Sequence, residues 1–212
     1  METRRQEFER AIGGQIERRT IVTELRADGG DGSPRFITGH GAVFDQEAEI
    51  WDGIYEVVRA GAFLDTINQA DVRALFNHNP DYVLGRNRAG TLQLSEDEIG
   101  LAYRILVNED VSYARDLYAS LLRGDITQSS YAFLPVQQRW TDREDGTQLR
   151  ELLRVQLFDV SPVTYPAFVG ADSQARGIFV PTSGRARQEG ATVDRAGALR
   201  SRRARLALTL RK

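Results

Sequence analysis

The run Ile126-Thr-Gln-Ser-Ser-Tyr-Ala-Phe-Leu-Pro135 decides how the rest of this chain is read. β-Branched and aromatic residues dominate it, so it is predicted to be a strand. Two adjacent hydroxyls, Ser129 and Ser130, sit in the middle of what otherwise reads as core. A half-buried hydroxyl in a strand either bonds to its surroundings or serves as a nucleophile beside a base. Strand alternation puts Ser130 with Ile126, Ala132 and Leu134, and Ser129 with Tyr131 and Phe133. That pattern alone does not choose between the two serines.

Working outward, residues 111–123 are predicted to form a helix capped by Asp110. Its apolar stripe comprises Val111, Ala114, Leu117, Tyr118, Leu121 and Leu122, and Gly124 stops it. After the serine strand come a hairpin turn at 142–146 and a long strand at 148–160. Upstream, strands are predicted at 20–26, 35–44, 55–59 and 72–76, a hairpin at 91–95 and 100–107, and a short helix at 62–68. Gly39 and Gly41 point to a bulge or a close backbone approach. The cluster Asp28-Gly-Gly-Asp-Gly32 lacks the ligand alternation and closing glutamate of a calcium loop, so it reads as a turn. Many short strands with few helices indicate an α+β fold, a mainly antiparallel β-sheet or small barrel with flanking helices, and not repeated βαβ units.

The 212 residues suffice for one domain with tails. We expect a charged N-terminal segment at 1–18, a folded domain at 19–180 and a basic tail at 181–212. The tail holds nine Arg/Lys against two acidic residues; its net of +7 leaves −9 for residues 1–180 of a chain whose total is −2. Such a tail reads first as a solvated end; docking on nucleic acid or another acidic partner is the weaker alternative, so nucleic acid is not the expected partner. The absence of cysteine excludes disulfides, thiolate metal sites and a cysteine nucleophile. With His40 and His78 the only histidines, a multi-histidine zinc site is not expected either. The charged N-terminus lacks the apolar core of a signal peptide, and no apolar run approaches the roughly 20 residues a membrane span needs. The expectation is a cytoplasmic protein with no membrane partner.

A nucleophilic serine needs a base to take its proton and a third group to orient that base. His78 follows a predicted strand and is flanked by asparagines, a setting from which a ring reaches into a cleft. His40 lies between two glycines inside a strand, a better setting for packing. For the third group, Asp159 is a carboxylate set among apolar neighbours in Leu153-Arg-Val-Gln-Leu-Phe-Asp-Val-Ser161, where it needs a partner. An imidazole N–H suits it; the plainer alternatives are a turn cap or a pair with Arg139 or Arg154. Glu151 and Asp125 are weaker candidates. No G-x-S-x-G, S-x-x-K or H-E-x-x-H signature is present.

Four pieces in order carry a family resemblance: Gly39-His-Gly-Ala-Val-Phe44, Phe76-Asn-His-Asn-Pro80, Leu122-Arg-Gly-Asp-Ile-Thr127 leading into Ser130-Tyr-Ala-Phe133, and Leu157-Phe-Asp-Val-Ser-Pro-Val-Thr-Tyr-Pro-Ala167. Over residues 37–175 the chain resembles the prohead maturation proteases of tailed phages, serine endopeptidases with a fold akin to herpesvirus assemblins. The resemblance implies a catalytic His78, Ser130 and Asp159, with Ser129 the alternative nucleophile, and no metal or cofactor. It implies phage scaffold and major capsid protein as substrates, self-cleavage, and action inside the assembling prohead in the bacterial host cytoplasm. Two departures stand out: Ala132 where the family often has glycine, and Gln128-Ser129 where an apolar residue commonly precedes the serine. A second expectation from the same resemblance is a non-catalytic capsid-assembly or scaffold-binding module.

Overall fold

The computed structural model describes residues 3–165 and the backbone of 178–179, all within one compact unit, Met1–Pro181. The tail expected at 181–212 lies outside the described residues. In chain order the elements are α1 (Arg4–Ile12), β1 (Glu17–Val22), β2 (Arg26–Gly30), β3 (Ser33–Val43), β4 (Ala48–Trp51), β5 (Ile54–Val58), α2 (Leu64–Gln69), β6 (Arg73–Phe76), β7 (Asn79–Arg86), β8 (Leu92–Glu96), β9 (Gly100–Leu106), α3 (Ser112–Arg123), β10 (Gln128–Asp142), β11 (Gln148–Val163) and β12 (Ile178–Phe179). They form an α+β fold with two sheets and no closed barrel among the described residues.

The larger sheet has eight strands, with β12-β1-β10-β11-β5-β4 hydrogen-bonded in that order. β11 is long enough to hold two partners along one edge. Its first half pairs parallel with β5, and Asp159 and Val160 pair parallel with Arg73 and Ala74 of β6. β7 then hydrogen-bonds to β6. The smaller sheet runs β2-β3-β9-β8, all antiparallel. The parallel pairs could not be read locally, because they join strands some 90 residues apart in sequence.

The hydrophobic core fills the space between the sheets. Tyr131 and Phe133 of β10 are fully covered, Phe63 meets Tyr131 edge-on at 5.6 Å, and Val160, Leu101 and Ile105 belong to the same cluster. Gly41 lies at the shift in register between His40 and Ala42, where a Cβ would come within 3.0 Å of Val160 Cγ1. The expected bulge is therefore present, and it brings β3 against the stretch of β11 that carries Asp159. Pro135, which has no N–H to donate, sits where the β10–β11 register slips again. α3 buries Ala114, Leu117, Tyr118 and Leu121 as its periodicity dictates, but Leu122 is 63% exposed. Its N-cap is Val111 rather than Asp110. The Asp110 N–H instead donates to Asn108 Oδ1 at 3.0 Å, a local turn that competes with capping.

A buried ion cluster ties β1 to β11 and β5. Arg150 on β11 is 1% exposed and donates to both oxygens of Glu17, at 2.7 and 2.8 Å, and to Glu56 at 2.9 Å. Arg19 bridges the same two carboxylates at 2.6 and 2.8 Å. Burial pushes the Glu17 carboxyl up, and the two guanidinium groups more than offset this, leaving it below the ordinary carboxylate range. Removing Arg150 leaves two buried carboxylates to share the single guanidinium of Arg19. Arg150→Ala is therefore expected to lower unfolding free energy by about 3–5 kcal/mol. Urea titration checks this; a loss below about 1 kcal/mol, the size typical of a surface pair, would show that the cluster does not hold the sheet together.

Candidate active site

β6 and β7 are joined by only two residues, Asn77 and His78, with Phe76 opposite Asn79. Both have positive φ, +55° and +54°, as a tight two-residue hairpin turn requires. Asparagine and histidine tolerate this region better than most non-glycine residues, yet holding them there still costs on the order of 1 kcal/mol or more each. The turn is held from outside. The Asn77 N–H donates to Pro162 O at 3.1 Å, its Oδ1 accepts from the Thr164 N–H at 2.8 Å, and its Nδ2 donates to Thr164 Oγ1 at 3.2 Å. The hairpin tip is thus clipped to the end of β11, and the imidazole swings over the sheet.

The sheet register fixes what lies beneath that ring. Ser130 on β10 stands opposite Ser161 on β11, and Ala132 stands opposite Asp159. Ser130 and Asp159 are therefore diagonal neighbours on one face, a separation of about 7–8 Å that an imidazole can span. His78 Nε2 lies 2.6 Å from Ser130 Oγ, and His78 Nδ1 lies 2.6 Å from Asp159 Oδ1. An ionised carboxylate only accepts hydrogen bonds, so Nδ1 carries the proton and Nε2 is free to accept from the serine. Ser161 Oγ donates to Asp159 Oδ1 at 2.7 Å and lies 3.3 Å from His78 Nδ1. The side chains of His78 and Asp159 are 8% and 10% exposed. Ser130 is wholly buried, and its hydroxyl also has the Arg19 carbonyl within 2.9 Å.

The other residues weighed as site members lie elsewhere. Ser129 faces the core and donates to the Tyr103 hydroxyl at 3.1 Å, where burial pushes the Tyr103 phenol well above its ordinary range. His40 Nε2 is 2.8 Å from Asp97 Oδ2. Glu151 is bound by Arg139 and Arg59, which hold its carboxyl down at about 2. Asp125 pairs with Arg123 at the end of α3, and Arg154 pairs with Asp65. Two features are not apparent from local sequence pattern. Pro80 reads as a strand terminator and so conceals β7, although among the described residues β7 pairs only with β6, and an edge strand accommodates proline. Ser161 is the other, although Asp159-Val-Ser161 places a carboxylate and a hydroxyl on one strand face.

The clip predicts a measurable effect. Asn77→Gly keeps the turn conformation and removes both amide contacts with Thr164. Any activity that depends on His78 should fall about five- to tenfold, the worth of roughly one hydrogen bond, with the circular dichroism spectrum unchanged. Wild-type turnover in that variant would show that the clip does not position His78.

A hydroxyl, an imidazole and a carboxylate in this file are the parts used by hydrolases that work through a nucleophilic serine. Among the described residues no group of three or more His, Asp or Glu could hold a metal ion, and no helix is long and apolar enough to cross a membrane. The chain belongs to the caudovirus prohead serine protease family, whose model matches residues 22–179. Among solved structures it is similar to the bacteriophage T4 capsid assembly protease, gp21, at 14% identity over 69% of this chain and 98% of that one, with a TM-score of 0.40. No curated protein matches it.

Proposed function

We propose that this chain is the endopeptidase that cleaves scaffold and capsid subunits inside an assembling phage head, and that Ser130, His78 and Asp159 perform the cleavage. The observation that carries this reading is the unbroken file from Ser130 Oγ through both ring nitrogens of His78 to Asp159 Oδ1. Ser130 Oγ attacks the scissile carbonyl while its proton passes to His78 Nε2. The imidazolium is stabilised by Asp159 and then protonates the departing amine, leaving an acyl-enzyme. Water, deprotonated by the neutral imidazole, hydrolyses that ester and returns the proton to Ser130. Family membership supports the choice of substrate class, and self-processing belongs to the same proposal.

The complete burial of Ser130 favours a second reading, a capsid-assembly module that keeps the fold without the chemistry. Proheads assembled with the wild-type chain distinguish the two. Shortened scaffold and capsid subunits in their mass spectra are the expected result; full-length subunits throughout would support the assembly module.

A further inference from the structure

We infer that Ser161 is a positioning residue for the reaction, the hydroxyl that fixes the Asp159 carboxylate under the imidazole. This rests on the catalytic reading of His78, Ser130 and Asp159. Asp159 is 7% exposed, and a carboxylate so placed requires donors from the protein in place of water. Two are at hand on the same oxygen: His78 Nδ1 at 2.6 Å and Ser161 Oγ at 2.7 Å. Ser161 is itself fully buried, so its hydroxyl cannot exchange this bond for solvent. It is also the residue directly opposite Ser130 across the β10–β11 pair, which ties the nucleophile's strand and the carboxylate's orientation to one register.

The geometry gives Ser161 a defined task. Its O–H donates to Asp159 Oδ1, which leaves its lone pairs available 3.3 Å from His78 Nδ1. The Nδ1–H therefore faces two acceptors on one side and no competing donor from Ser161. That arrangement keeps the tautomer with Nε2 unprotonated, the only neutral form able to take the Ser130 proton. A carboxylate held by the imidazole alone can turn about its Cβ–Cγ bond, and the ring then loses its alignment for part of the time. Strand alternation makes the pairing a local property of Asp159-Val-Ser161, so the strand that supplies the acid also supplies its clamp.

The test uses the full-length protein and a fluorophosphonate that reports the acylation half of the reaction. Ser161→Ala should lower the limiting inactivation rate about 10- to 100-fold, the range for one hydrogen bond to a charged group, while the inactivator's apparent dissociation constant stays as in wild type. The downfield proton NMR signal of His78 Nδ1–H should shift or broaden in the same variant. A merely structural role would lower the melting temperature and leave both readouts alone. An unchanged limiting rate and an unchanged Nδ1–H signal would overturn the inference. If wild type itself takes no label, the catalytic reading fails, while the NMR comparison still decides whether Ser161 positions the ring.

Discussion

Ser130→Ala is expected to reduce peptide-bond hydrolysis about a millionfold, the scale seen when a serine nucleophile working with its base is removed. Only the hydroxyl is lost, and the alanine methyl occupies the same buried space, so stability should change by no more than about 1–2 kcal/mol. A pure preparation of the variant should keep its full length under conditions in which wild type is clipped. Ser129→Ala is the matched control, because its hydroxyl points the other way, to Tyr103 in the core. That variant should lose about 1 kcal/mol of stability, the worth of one internal hydrogen bond, and retain its turnover. Equal clipping of Ser130→Ala and wild type would remove Ser130 from the chemistry. Activity lost in Ser129→Ala but kept in Ser130→Ala would reverse the assignment.

The second large effect is Asp159→Asn, for which a fall in turnover of about 10⁴-fold is expected. The side chain keeps its size but gains an NH₂ group that can face His78 Nδ1. Donor then meets donor unless the ring proton moves to Nε2, and a protonated Nε2 cannot accept from Ser130 at 2.6 Å. The loss therefore comes from the wrong tautomer rather than from a damaged fold. Kinetics on a peptide taken from a processed subunit check this, with a melting curve as control. A loss of less than about tenfold, the size of an ordinary lost hydrogen bond, would show that Asp159 does not set the tautomer.

Much of the fold could be read from local pattern. Residues 126–135 announce a strand through their β-branched and aromatic content, and the stripe Ala114, Leu117, Tyr118, Leu121 announces a helix face. What the pattern did not reveal depends on partners distant in sequence. Pro80 reads as a breaker until it is known that, among the described residues, β7 has β6 as its single strand partner. Arg150 and Glu17 look like surface charges in sequence, and only the approach of β1 to β11 makes them a buried pair. Gly39 and Gly41 signalled a special backbone, but not that Val160 would fill the space beside Gly41.

The candidate site was legible to a different degree. Scarcity of histidine narrowed the base to two, and polar flanks favoured His78 over His40. Alternation separated Ser129 from Ser130 without choosing between them, since which face looks inward depends on how the two sheets stack. The diagonal relation of Ser130 to Asp159 comes from the β10–β11 register, which the bulge after Ala132 shifts by one residue. No local rule anticipates that shift. The positive φ of Asn77 and His78 follows from a two-residue connection whose second strand was itself unseen.

We assign Ser130 as the nucleophile, activated by His78. This is checked by labelling the folded wild-type protein with a fluorophosphonate and mapping the adduct by peptide mass spectrometry. The expected result is one phosphonylated residue, Ser130, with labelling abolished in His78→Ala. An adduct on Ser129, or no adduct on protein shown to be folded, would contradict it.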